Sequence, residues 1–393
     1  MAAEAPLTLS WARVVRPPDV LDLPGWAREV EAEYASADVS LDRATAEFLY
    51  SQIGHDPLAH CRRGVDSVAL PRGQRFRFSR AQTQLDMACQ AVAALGDVLP
   101  KKELAARCGL VVCSATSLDE SGLFHSMIGG VTGAVGLSRV PYFAVSQLQG
   151  ASLAGAVDII DAMLTQPGSG ALFIAVERWP IAFPRVWSAS TVLGDGAVAA
   201  WFTRGEGPGL RYVSGVVRSF NPFIHELPVE VRPLPAIEIR GIASPSGDGA
   251  GVKKAATPRG DRSSSPGDPR AERPVTIDSE ALFDAAVAVL MDFLRKEGVA
   301  PSQLSGWISS CLDFDLDQRL RERLGVQAPV VAPREDDGYW CAAAAPALVA
   351  ELIDGAHGGR VSEGDMFLSW GMSYGGSVGA QLWRFVKGSG DQV

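Results

Sequence analysis

Residues Tyr142 to Ile160 read YFAVSQLQGASLAGAVDII, a stretch whose middle is a natural place for covalent chemistry. The pattern predicts a short buried strand, a sharp turn and a helix built from small residues. A strand-to-helix elbow of this kind presents a nucleophile, usually cysteine or serine, for acyl transfer. Here the turn offers Gln149 and Gly150, and neither can form an ester or thioester. Ser146 and Ser152 flank the turn, with no base beside either in the motif.

The other reactive side chains are scattered. Cysteines stand at 61, 89, 108, 113, 311 and 341, with no CxxC pair, so no zinc site is expected and most read as small buried hydrophobes. Of the five histidines only His55 and His60 are close in sequence, and their surroundings supply no clear third ligand. His125 precedes SMIGGVTGAVGL and reads as a helix-face residue. No metal and no organic cofactor is expected. The net charge of −9 argues against a nucleic-acid surface. No run of about 18 apolar residues is present and the first residues lack a basic-then-apolar signal pattern, which predicts a cytoplasmic protein without a membrane partner.

The elements that must position the elbow alternate along the chain. A helical period covers 81–99, followed by an apolar run, GLVVCSA, at 109–115. After the elbow come GALFIAV at 170–176 and LGDGAVAAWF at 193–202. A Ser-, Pro-, Gly- and charge-rich stretch at 243–274 reads as a linker. The rhythm then restarts: an amphipathic helix at 279–297, a strand at 305–310, a charged helix at 316–324, an Ala-rich helix from 338 to 352, and strands at 365–370 and 379–386. The segmentation is therefore 1–80 (N-terminal strand and insertion), 81–242 (first half), 243–274 (linker) and 275–393 (second half). Helices alternating with short apolar strands predict a layered α/β fold.

Three places in this order carry a resemblance: the elbow helix, Leu193-Gly194-Asp195-Gly196-Ala197, and the ending GDMFLSWGMSYGGSVGAQLWRF. Together they resemble the ketoacyl-acyl-carrier-protein synthase III group of condensing enzymes. The fold so implied is thiolase-like, five-layered α-β-α-β-α, from two pseudo-duplicated halves. Gly194, Asp195 and Gly196 then form a structural turn, with the glycines expected at positive φ and the carboxylate bonding nearby N–H groups.

The resemblance implies an elbow cysteine activated by a helix N-terminus. It also implies a histidine and an asparagine that stabilise the enolate formed on decarboxylation, and an oxyanion site. Counting from Val145 puts Gln149 at the cysteine's place, whereas the register of AVDII puts Gly150 there. WISSCLDFD puts Cys311 at the histidine, Gly338-Tyr339-Trp340-Cys341 puts Tyr339 at the asparagine, and GMSYGG puts Tyr374 in the oxyanion region. The usual triad is absent from these positions, and Ser152, Cys311 and Cys341 are the substitute nucleophiles to consider.

The reading this favours is a non-catalytic partner of an active ketosynthase in fatty-acid or polyketide-type metabolism. It would form a homo- or heterodimer, with 129–145 and 171–176 near the interface. The alternative is an unusual acyl-thioester-processing enzyme (acyltransferase, thioesterase or malonyl decarboxylase) with a rebuilt pocket. Its substrate would be an acyl carrier protein or CoA thioester. A self-contained binder of acyl or aromatic ligands is a third reading.

Overall fold

The computed structural model describes residues 5–38, 40, 43–44, 47, 75–117, 126–146, 148–181, 183, 185–188, 191–220, 279–310, 314–357, 359–373 and 376–388. Ten strands form one mixed sheet. From the first half come β1 (Leu7–Val15), β4 (Cys108–Ala115), β5 (Tyr142–Ser146), β6 (Gly170–Glu177) and β9 (Gly196–Arg204). From the second come β10 (Gly209–Ser219), β11 (Gly306–Ser310), β12 (Val330–Val331), β13 (Met366–Met372) and β14 (Ser377–Val386). Their spatial order is β12-β11-β13-β14-β10-β1-β9-β6-β4-β5.

Outward from the β10/β1 seam, each half repeats one permutation: first, fifth, fourth, second and third strand. The directions repeat as well. β1/β9 and β9/β6 are antiparallel, and β6/β4 and β4/β5 are parallel. In the other half β10/β14 and β14/β13 are antiparallel, with β13/β11 and β11/β12 parallel. The seam itself is short, pairing Thr8 with Arg211 and Leu9 with Leu210. Two small accessory sheets complete the strands: β2 (Asp19–Asp22) with β3 (Arg75–Phe78), and β7 (Val186–Ser188) with β8 (Thr191–Val192).

Among the described residues, eight helices are numbered in chain order: α1 (Leu23–Ala35), α2 (Gln84–Leu95), α3 (Lys101–Arg107), α4 (Met127–Ala134), α5 (Ser152–Met163), α6 (Ser279–Lys296), α7 (Phe314–Leu324) and α8 (Cys341–His357). The central pair, α5 and α8, lies in one apolar cluster with strands of both halves, including Leu9, Phe173, Ile308 and Trp383. Their small residues suit this place, because a helix packed against sheet on both sides must come close to each backbone. α2 and α4 cover the outer face of the first half, and α6 and α7 that of the second. The layers are α-β-α-β-α.

One expectation needs correction. The YFAVS strand is not buried: β5 is the sheet edge, with only Val145 inside and Tyr142 and Phe143 exposed. An apolar run reads the same at an edge as in a core. β6, which holds 171–176, lies between β4 and β9 with every residue buried. β1 belongs with the strands of the first half and β10 with those of the second, with residues 205–208 running between β9 and β10. The 243–274 segment and the histidines His55, His60 and His125 lie outside the described residues.

Candidate functional site

α5 begins without a side-chain cap, through a 3-10 turn at Gln149–Ala151. Gln149 holds φ +47°, a left-handed conformation uncommon for a residue with a Cβ. Gly150 is sealed in. A Cβ there would lie 2.4 Å from the Ser310 carbonyl oxygen and 2.9 Å from that of Met372. Gly371 on β13 is pressed against the Gly150 carbonyl in turn. Of the two elbow residues, only Gln149 therefore has room for a side chain. Ser146 is exposed at the end of β5. Ser152 points inward, fully buried, and its hydroxyl has no hydrogen-bond partner, and so no base, among the described residues.

The second half presents a matching elbow. Among the described residues the only other non-glycine with positive φ is Cys341, at +37°, the first residue of α8. Here Glu177, the last residue of β6, reaches the helix start. Its fully buried carboxylate accepts the N–H groups of Ala342 (2.9 Å), Thr116 (2.8 Å) and Ser117 (2.8 Å). Burial pushes the Glu177 carboxyl above the usual range even against these donors. Cys341 is 4% exposed, and its thiol is pushed well above its ordinary value by burial, then by the Glu177 carboxylate. The helix N-terminus that would favour thiolate is already taken by Glu177, so the sulfur stays protonated.

Tyr339 is anchored between the halves. Its N–H donates to Val192 (2.8 Å), its carbonyl accepts from Gly194 (3.0 Å), and its phenol O–H donates to the Ser310 carbonyl (3.2 Å). Trp179, Leu193 and Cys341 form a small cluster to which Phe183 and Tyr339 add; Trp179 and Phe183 stack at 4.5 Å. The structure thus gathers Tyr339 and Cys341 into one aromatic cluster, and ties Tyr339 and Gly150 to the same residue, Ser310. Cys311 and Tyr374 fall outside the described residues. Around Tyr374, Ser373 accepts the N–H of Gly376 (3.0 Å) and its own N–H donates to Ser377 (2.8 Å).

The Gly194-Asp195-Gly196 turn differs from expectation. Neither glycine has positive φ. They are needed for closeness: a Cβ at Gly194 would lie 2.1 Å from the Asp337 carbonyl, and one at Gly196 2.5 Å from the Trp340 ring. Asp195 does bond N–H groups, of Ser79 (2.8 Å) and Trp179 (3.0 Å), and it also forms a fully buried ion pair with Arg185 (2.7 Å). That guanidinium lies over Phe76 and Phe78, so the turn fastens β3 to the main sheet.

Sequence reasoning missed Glu177 and Arg185. One signal was available for the first: a lone carboxylate ending the all-apolar run GALFIAV. Among the described residues no group of three His, Cys, Asp or Glu side chains could hold a metal, and no helix is long and apolar enough to cross a membrane.

Solved structures match nearly end to end. 3-Oxoacyl-(acyl carrier protein) synthase III, FabH, from Pseudomonas aeruginosa PAO1 is 16% identical over 98% of this chain and 99% of its own, with TM-score 0.59. The corresponding synthase III of Aquifex aeolicus VF5 is 19% identical over 96% and 100%, with TM-score 0.60. Cerulenin-bound OleA of Xanthomonas campestris is 16% identical over 97% and 99%, with TM-score 0.63. The fold is that of the thiolase-like condensing enzymes. No protein-family model and no curated protein matches the chain.

Proposed function

We propose that this chain is a degenerate relative of synthase III condensing enzymes, serving as a non-catalytic partner subunit of an active ketosynthase in fatty-acid or polyketide-type metabolism. The observation that carries this reading is Gln149, a carboxamide at the left-handed elbow where acyl transfer needs a nucleophile. The surroundings agree with it. Gly150 leaves no room for a substitute, Ser152 lacks a base, the Cys341 thiol is held protonated, and the Tyr339 phenol is engaged with Ser310. A retained scaffold with no nucleophile at its elbow suits a subunit kept for what it presents to a neighbour. The exposed β5 edge, with Tyr142 and Phe143, offers such a surface to another synthase subunit.

The test is to incubate the purified chain with acetyl-, malonyl- and longer acyl-carrier-protein or CoA thioesters, following intact mass and released acid or CO2. The expected result is no adduct and no turnover, with synthase activity appearing or rising when an active ketosynthase is co-expressed and co-purified. A covalent acyl adduct, or catalytic release of CO2 or free acid by the chain alone, would overturn the proposal in favour of an acyl-thioester-processing enzyme.

A further inference from the structure

β14 accompanies β10 from Gly209 to Ser219, but on its other side β1 reaches only Leu210 and Arg211. From Val213 to Ser219 that second edge has no strand partner among the described residues. Natural sheets blunt such edges with proline, lysine or very short strands. The segment VSGVVRS has neither proline nor lysine, and its one irregularity is a register shift between Tyr212 and Ser214.

A groove of about 830 Å3 runs beside this edge. Gly215 to Arg218 form one wall, the later turns of α6 form the other, and Asp158 of α5 lies within it. Two large apolar side chains stand open nearby: Met291, 54% exposed, and Val213, 39% exposed. The charges at the groove are unbalanced. Asp292 is paired with Arg295, and Asp158 accepts the Tyr212 hydroxyl at 3.0 Å. Arg218 and Lys296 remain without ion-pair partners among the described residues, a basic rim on a chain whose net charge is −9.

We infer that the free edge of β10 docks an extended peptide of a partner protein by strand addition, selected by acidic side chains that meet Arg218 and Lys296. Main-chain hydrogen bonds would supply affinity, and the alternation of side chains along the added strand would supply choice. A strand is favoured because four consecutive residues of an unpaired edge form the wall. The inference stands independently of the elbow.

The test uses the full chain and a fluorescein-labelled peptide of alternating glutamate and valine, with an alternating lysine and valine peptide as comparison. Anisotropy should report saturable binding of the acidic peptide only. Hydrogen exchange should slow about tenfold at amides within Val213–Ser219, and the double variant R218E/K296E should weaken binding about tenfold or more with an unchanged thermal midpoint. Absence of saturable binding up to about 1 mM, equal binding of the lysine peptide, or protection confined to other strands would overturn the inference. So would concentration-dependent dimerisation of the chain alone that Val217→Pro abolishes, since the edge would then belong to a second copy.

Discussion

At Gly150 the loss of one hydrogen atom's worth of space is decisive. Adding a methyl group there drives it into main-chain carbonyls of β11 and β13, which have no rotamer to yield. Gly150→Ala should lower unfolding stability by about 1–3 kcal/mol, read as a shift of the urea midpoint. An unchanged midpoint would mean that the elbow is looser than described. Cys341 permits a chemical check at the same scale. A protonated thiol 4% exposed should resist N-ethylmaleimide at pH 8 in the native chain and react promptly in urea, as peptide mass mapping would report. Rapid native labelling would contradict the account of Glu177 and the α8 N-terminus.

Between elements, the Asp158–Tyr212 contact braces α5 against β10, and it carries a pH signature. Burial, then the nearby Asp161, raise the Asp158 carboxyl above its ordinary 3.8. A carboxyl raised by folding favours the folded state below its unfolded pKa, and that advantage is lost as pH rises through the folded value. Asp158→Asn should therefore match the parent near pH 3 and melt higher than it at pH 7, where the parent's carboxylate is charged. The opposite trend would mean that the Tyr212 hydrogen bond outweighs burial. On α7, Asp317 accepts the indole N–H groups of Trp307 (2.9 Å) and Trp370 (3.1 Å) inside the outer apolar layer. Asp317→Ala orphans both donors at about 1–3 kcal/mol each, so a loss of about 2–6 kcal/mol is expected from denaturant unfolding followed by tryptophan fluorescence.

Much of this was legible in the sequence. GALFIAV read as a strand because it is a short unbroken apolar run, and the Ala-rich stretches read as helices that approach sheet closely. The elbow was legible because a strand and a small-residue helix leave few residues for the turn. What could not be read was tertiary. YFAVS looks buried because apolar sequence does not distinguish a core strand from a bare edge. Gly194 and Gly196 look like turn glycines until the Trp340 ring and the Asp337 carbonyl are seen against them. Glu177 was hidden because its partners, Thr116 and Ala342, are far from it along the chain. The closeness at Gly150 also needed coordinates, since the carbonyls of Ser310 and Met372 that leave no room for a side chain there are far away along the chain.

For the molecule as a whole, the repeated strand permutation sets the covalent order of the chain against its spatial order. β10 follows the first half directly but is woven into the second, where ten residue pairs join it to β14. A protease nick anywhere between 220 and 279 would leave β10 on one fragment and β14 on the other. The two pieces should therefore co-migrate on gel filtration and part only in denaturant, whereas fragments that separate in native buffer would mean that the ladder and the shared central layer contribute little. The first fragment ends in a hook that the second cannot release without unfolding, so the molecule is tied together twice, once by its backbone and once by its weave.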